Sequence, residues 1–215
     1  MITIPEKLYL LAFDEDKCTL VKSANRAFSY ALAGGILADL TLQNKVKLND
    51  KGRLEIIDLD QTGDPTLDTV LRKINSHEKP RRAGYWITAI LEKPKKLQRK
   101  VEESLVDKGI LLREDDRFVG IAATDGNQDS LWNKYASKSE LRAGVLTDQP
   151  VDLHNLVLLD LFRSSKLLPL LFTADELNLA RRRIKEAVVR EALGNPIAQT
   201  IEEIGAAISS GLTDL

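Results

Sequence analysis

The sequence predicts a mainly α fold: a single helical domain over residues 1–215, with a central set of buried helices and small projecting β-hairpins. Three observations predict it. Ala27 to Leu42 is apolar almost all round, the pattern of a helix enclosed by others. Other segments carry one-sided apolar stripes at helical spacing, bounded by capping residues. Two stretches, one around Asn49 to Gly52 and one around Arg113 to Arg117, instead read as strand, turn and strand. With 215 residues, 43% hydrophobic and 29% charged, the chain can bury a sizeable core.

Taken in order, Thr3 and Glu6 have the spacing of a capping box, and Leu8, Leu11 and Ala12 share a face. Thr3 to Ala12 therefore reads as a short helix, broken by Asp14 to Lys17. The buried helix follows in SANRAFSYALAGGILADLTLQN, with Gly34 and Gly35 in its middle. Each glycine costs roughly 1 kcal/mol against alanine, which is expected where another helix approaches the backbone closely. A phosphate-cradling loop is not expected, because no lysine with Ser/Thr follows the glycines. KVKLNDKGRLEIID, Lys45 to Asp58, is the clearest hairpin.

Asp64 before Pro65 starts the next helix, with the stripe Leu67, Val70, Leu71 and Ile74, and it ends before Pro80. Arg82 to Glu92 forms another, burying Trp86, Ile87, Ile90 and Leu91, until Pro94 interrupts. In KKLQRKVEESLVDKGILLREDDRFVGIA, Lys95 to Ala122, the residues Leu97, Val101 and Leu105 make one stripe. Lys95, Lys96, Arg99 and Glu103 lie outside that stripe. Gly109 suits a left-handed C-terminal cap, and Ile110 to Leu112 and Phe118 to Ala122 flank the charged turn Arg113 to Arg117. The polar run Ala123 to Ser130 is the best loop candidate.

Ser139 to Leu146 reads as a short helix and Val151 to Phe162 as a buried one. Its His154 and Asp160 are six residues apart with no catalytic partner visible, and His154 reads as a core or rim histidine. Thr173 and Glu176 form a second capping box for a helix over Ala174 to Leu193, with Leu177, Ala180, Ile184 and Val188 inward and Gly194 as its stop. The run Arg181, Arg182, Arg183 and Lys185 interleaves with Glu186 and Glu191 and reads as a solvated face. Asn195 and Pro196 open a last helix, Ile197, Ile201, Ile204 and Ile208 inward, ending at Gly211.

Composition narrows the function. No run of about 18 apolar residues occurs, and the start lacks the basic region and cleavage site of a signal peptide, so a cytoplasmic protein without a membrane span is expected. Cys18 is the only cysteine, which removes a disulfide framework and disfavours a cysteine metal site. No nucleophile elbow, histidine pair or nucleotide fingerprint is present, so no enzyme and no cofactor is expected. A helix, a break and a hairpin recur at Leu37 to Ile57 and at Leu97 to Ala122. Two such units suggest winged-helix modules, which makes DNA binding the alternative reading, with Lys93, Lys95, Lys96, Arg99 and Lys100 available to phosphates. The net charge of −1 and the lack of a polar recognition face argue against a nucleic-acid partner.

The ordered set LYLLAF, LAGGILADLTLQNKVKL, TGDPTLDTVL, LVDKGILL with its hairpin, and LNLARRRIKEAV resembles the Golgi phosphoprotein 3 family over nearly the whole chain. Without the long basic N-terminal extension of eukaryotic members, it is similar to a prokaryotic or minimal relative. The resemblance implies a non-enzymatic, peripherally membrane-associated adaptor that binds an anionic lipid such as phosphatidylinositol 4-phosphate and holds protein cargo. It implies a pocket made by a tryptophan and an arginine on the first central helix and two arginines near the start of the later one. By position the first pair falls at Ala24 and Ala33 and the second at Lys95 and Gln98, with Lys96 and Arg99 as neighbouring cations. The expected headgroup site is therefore Lys95, Lys96, Gln98 and Arg99. Lysine cannot fork around a phosphate, so general attraction to anionic lipid is expected rather than selective recognition. The resemblance also implies that the hairpin, here Phe118, Val119 and Gly120, contacts membrane or a second copy. Its acidic turn, Glu114 to Asp116, favours self-association into a homo-oligomer.

Overall fold

The expected mainly α architecture is found in the computed structural model, which describes residues 2–14, 16–20, 25–115, 117–122, 134–147 and 149–213. Among the described residues there are nine α-helices and three separate two-stranded antiparallel sheets. The central helix, α2 (Asn25–Leu42), is buried throughout residues 31–40. It touches α1 (Ile4–Ala12), α3 (Pro65–Asn75), α4 (Ala83–Ile90), α5 (Pro94–Asp107), α7 (Leu153–Ser164) and α9 (Pro196–Gly211). A side chain that is apolar on every face has no solvent side to prefer, so the helix is stable only when other helices surround it.

The paired glycines make that enclosure tight. A Cβ on Gly34 would sit 2.4 Å from Ile208 Cδ1 and 3.1 Å from Leu161 Cδ2, whereas one on Gly35 would sit 2.9 Å from Leu8 Cδ1. Adjacent residues thus admit α9 and α7 on one side of α2 and α1 on another.

Helix starts follow the local chemistry. The Thr3 N–H donates to Glu6 Oε2 at 2.7 Å, and Asp64 Oδ1 accepts from the N–H groups of Thr66 and Leu67 at 2.8 and 3.0 Å. Pro94 does not merely interrupt: it is the first residue of α5, where its missing N–H costs nothing. Helix exits repeat one geometry. After α2, α5 and α7, a residue of positive φ (Asn44 at 54°, Gly109 at 67°, Lys166 at 61°) turns the chain. The next N–H returns to a carbonyl five residues back, Lys45 to Leu40 at 2.8 Å, Ile110 to Leu105 at 2.9 Å and Leu167 to Phe162 at 2.8 Å. The first two exits lead into β3 (Val46–Leu48) with β4 (Leu54–Ile56) and β5 (Leu111–Glu114) with β6 (Arg117–Ile121). The recurring helix, break and hairpin therefore exists as a structural unit.

Several limits differ from the sequence reading. The break after α1 is itself a small hairpin, β1 (Phe13–Asp14) with β2 (Thr19–Leu20), closed through Cys18 at φ 49° and a 2.7 Å Lys17–Asp14 ion pair. The turn at the tip of β5–β6 is shorter than Arg113 to Arg117, because both arginines and Glu114 pair in the ladder. α6 (Lys134–Leu146) begins before Ser139, since no glycine or proline precedes it to stop the helix. α8 (Leu177–Ala192) begins three residues after Ala174. There the Thr173 N–H does reach Glu176 Oε2 at 2.8 Å, but the same carboxylate is also held by Arg142 at 2.7 Å, and residues 174–176 remain a turn. Ile90 and Leu91 are half-buried, not enclosed. The residues 123–130 lie outside the described set. Among the described residues no helix is long and apolar enough to cross a membrane.

Candidate functional site

A cleft of about 800 Å³ lies where the first turns of α2 face the junction of α4 and α5. α2 contributes Arg26, Ser29 and Tyr30, the end of α4 contributes Thr88 and Leu91, and the junction and α5 contribute Glu92, Pro94, Lys95 and Gln98. Leu91 is half-buried because it forms part of this wall. Tyr30 is wedged against the end of α9, where a Cβ on Gly211 would lie 2.6 Å from its Cε1.

The charge of the cleft is set by which groups already have partners. Glu92 is held by Lys73 at 3.2 Å, and the same ammonium donates to the Ala89 carbonyl at 2.7 Å. Among the described residues, Arg26 and Lys95 have no carboxylate partner. Gln98 donates from Nε2 to Glu102 at 2.8 Å, and Glu102 also accepts from the Tyr9 hydroxyl at 2.9 Å. Burial, and after it the adjacent Glu102 charge, push the Tyr9 hydroxyl far above its ordinary range, so it stays a donor. α5 opens at Lys93 with no side-chain cap and no acidic residue in its first turn. Lys93, Lys95 and Lys96 thus crowd the positive end of a helix dipole, which disfavours cations and favours an anion.

Of the four expected headgroup residues, Lys95 and Gln98 line the cleft, while Lys96 and Arg99 do not. Arg99 points along the exposed face of α5 and pairs with Glu103 at 2.9 Å. The expected position Ala33 is wholly buried in the core, and Ala24 lies outside the described residues. The cation and ring that α2 contributes are instead Arg26 and Tyr30. The signal for them is a polar stripe, Arg26, Ser29 and Tyr30 at i, i+3 and i+4, on an otherwise apolar helix.

α5 is fixed to α1 by a buried carboxylate. Glu6, 1% exposed, accepts from the Ser104 hydroxyl at 2.7 Å and from Lys108 Nζ at 2.6 and 2.8 Å. In the β5–β6 hairpin the three expected contact residues separate. Phe118 is half-buried with its ring 6.5 Å edge-on from Phe13, while Gly120 pairs with Leu112. Val119 falls at the register shift beside Leu112, and each of these two is 44% exposed.

The other singled-out groups are structural. Arg183 donates to the Val145 and Leu146 carbonyls, both at 2.8 Å, and so caps α6, while Arg181 and Arg182 are exposed. Asp160 is buried against Arg163 at 2.6 Å, and His154 is an exposed rim residue.

No curated protein matches the chain significantly. A family model does: that of Golgi phosphoprotein 3 (GPP34) matches residues 4–204, from the start of α1 into α9. The chain accordingly belongs to the Golgi phosphoprotein 3 family.

Proposed function

We propose that this protein is a non-enzymatic peripheral membrane adaptor, and that the α2–α5 cleft takes the phosphorylated headgroup of an anionic lipid, of the phosphatidylinositol 4-phosphate type. The observation that carries this reading is the placing of Arg26 and Lys95 on opposite walls of one cleft. Neither has a carboxylate partner among the described residues, and the uncapped start of α5 lies beside them. An arginine supplies the forked donor that lysine lacks, so the cleft holds both a bidentate and a point-charge donor for a phosphate. Lys96 and Arg99, outside the cleft, act as general attraction to the surface. The whole chain, residues 1–215, acts as one domain, with protein cargo held elsewhere on its surface and the Leu112–Val119 edge of the hairpin meeting a second copy or the membrane.

Each basic residue at an anionic surface contributes about 1 kcal/mol, so replacing Arg26 and Lys95 with alanine removes about 2 kcal/mol, roughly thirtyfold in affinity. The test is sedimentation with neutral vesicles, vesicles containing phosphatidylserine, and vesicles containing a phosphoinositide, alongside titration of duplex DNA. Preferential binding to anionic vesicles that falls in the Arg26→Ala/Lys95→Ala variant is expected. Equal binding to neutral and anionic vesicles, or to neither, overturns the proposal. Salt-sensitive DNA binding at submicromolar protein replaces it with the nucleic-acid reading.

A further inference from the structure

A second basic cleft lies at the other end of α4. It encloses about 610 Å³ between the start of α4 and the outer face of α9, with Arg53, Arg81 and Arg82 on one side and Glu203 and Ser210 on the other. Backbone pairing assembles the three arginines. The Leu54 N–H donates to the Arg81 carbonyl at 2.9 Å, which brings the strand residue Arg53 beside the segment that carries Arg81 and Arg82. Tyr85, 44% exposed, supplies a flat wall. The Arg81 guanidinium sits 5.3 Å from its ring centroid, and Trp86 and His77 back the ring at 5.1 and 5.3 Å.

Among the described residues none of the three arginines has a carboxylate partner within 4 Å, while Arg81 Nε donates to His77 Nε2 at 3.3 Å. Glu203, in the same cleft, forms no ion pair with them. Three cations lining one cleft with no carboxylate partner sum to a positive field, which favours an anion there. Exposed arginines lining one cleft suit a phosphate, which accepts bidentate bonds from a guanidinium. The aromatic wall and the small side chains of Ala206 and Ala207 leave room for a ring beside that phosphate, and Glu203 and Ser210 can accept from ring hydroxyls.

We propose that this cleft is a second anion site, which binds a phosphate monoester carried on a polyol ring through Arg53, Arg81 and Arg82, with Glu203 receiving a hydroxyl. It is independent of the α2–α5 cleft. Tyr85 in one cleft and Thr88 in the other are one turn apart on α4, roughly 5 Å along the axis, so both clefts open on the same side of the helix. The ligand therefore comes either from solution, as a sugar phosphate, or from a lipid headgroup.

The test titrates a hexose 6-phosphate, inorganic phosphate and the unphosphorylated hexose into the full chain, in the wild type and in an Arg26→Ala/Lys95→Ala background that silences the other cleft. Arg53→Ala/Arg82→Ala should weaken the hexose phosphate at least tenfold in both backgrounds, and Arg53→Lys/Arg82→Lys should restore part of the loss. Glu203→Gln should reduce the advantage of hexose phosphate over inorganic phosphate without weakening phosphate itself. The substituted side chains are exposed or half-exposed, and an unchanged thermal midpoint checks the fold. Sedimentation of the same variants with phosphoinositide vesicles separates the sources: a parallel loss assigns a lipid headgroup, and a loss confined to the soluble probe assigns a free sugar phosphate. Absence of binding to the phosphorylated probes at millimolar concentration, equal binding of the unphosphorylated hexose, or an unchanged affinity in Arg53→Ala/Arg82→Ala overturns the proposal.

Discussion

The Glu6–Lys108 contact decides whether α5, and with it Lys95 and Gln98, is held in place, and its energetics are asymmetric. The Glu6 side chain is 2% exposed and that of Lys108 is 30% exposed. Replacing Lys108 with methionine keeps the aliphatic stem but leaves a carboxylate in the interior with, among the described residues, the Ser104 hydroxyl and the Thr3 N–H as its remaining donors. Removing one partner of a buried pair costs about 3–5 kcal/mol, and access of water through the vacated edge puts the expected value at the lower end, about 3 kcal/mol. Replacing Glu6 with glutamine leaves the ammonium, which reaches solvent, so about 2 kcal/mol is lost, mainly as two charge-assisted hydrogen bonds. If the sites were independent the double variant would lose about 5 kcal/mol. With the pair gone it should lose about 3 kcal/mol, a coupling of about 2 kcal/mol. Urea unfolding followed by far-ultraviolet circular dichroism measures all four proteins. A Lys108→Met loss smaller than the Glu6→Gln loss, or additive losses, would refute the assignment of Glu6 as the buried charge that locks α5 to α1.

Two further predictions concern the core and the hairpin. Burial holds the Asp39 carboxyl above its ordinary range, outweighing the bonds it accepts from Gln43 and from the Ile4 N–H at 3.0 and 2.7 Å. The folded state therefore binds this proton more tightly than the unfolded chain. The resulting stability is fully present below the ordinary aspartate value and is lost as pH rises through the raised folded one. Asp160 is shifted the same way, by burial. Urea midpoints of the wild type should thus fall through these groups as pH rises above about 4, the ordinary aspartate value, and Asp39→Asn should make that fall shallower; parallel curves would contradict the burial argument. In the hairpin, Phe118→Ser should cost about 2 kcal/mol, less than a fully buried phenylalanine, because it loses its packing on Phe13. Val119→Ser should leave stability within about 0.5 kcal/mol while reducing self-association or vesicle binding. Equal stability losses at the two positions would mean that both side chains pack inward.

Most elements were legible because their causes are local. A stripe such as Leu67, Val70, Leu71 and Ile74, bounded by Asp64 with Pro65, specifies a helix and its buried face whatever it packs against, and all four of those residues are buried. The limits that moved are those where a competitor sits outside the local window. Arg142 on α6 holds Glu176 from 34 residues away, and no spacing rule within a turn can register it.

The candidate site was legible only in half for the same reason. Lys95 and Gln98 belong to one helix, and their spacing is visible in the chain. That they face Arg26 and Tyr30 depends on how α2 is set against α4, α5 and α9, which follows from close approach at Gly34 and Gly211 and from the Glu6 tie. Arg99 and Lys95 look alike in sequence, but the structure pairs one with Glu103 and turns the other into the cleft. The gathering of Arg53 with Arg81 and Arg82 likewise needs a backbone pairing across 27 residues, between Leu54 and Arg81. Amphipathic periodicity and capping act over one or two helical turns and so are written into neighbouring residues. The field of a cleft sums charges from distant segments, and it exists only after the chain has folded and each charge has taken or failed to find its partner.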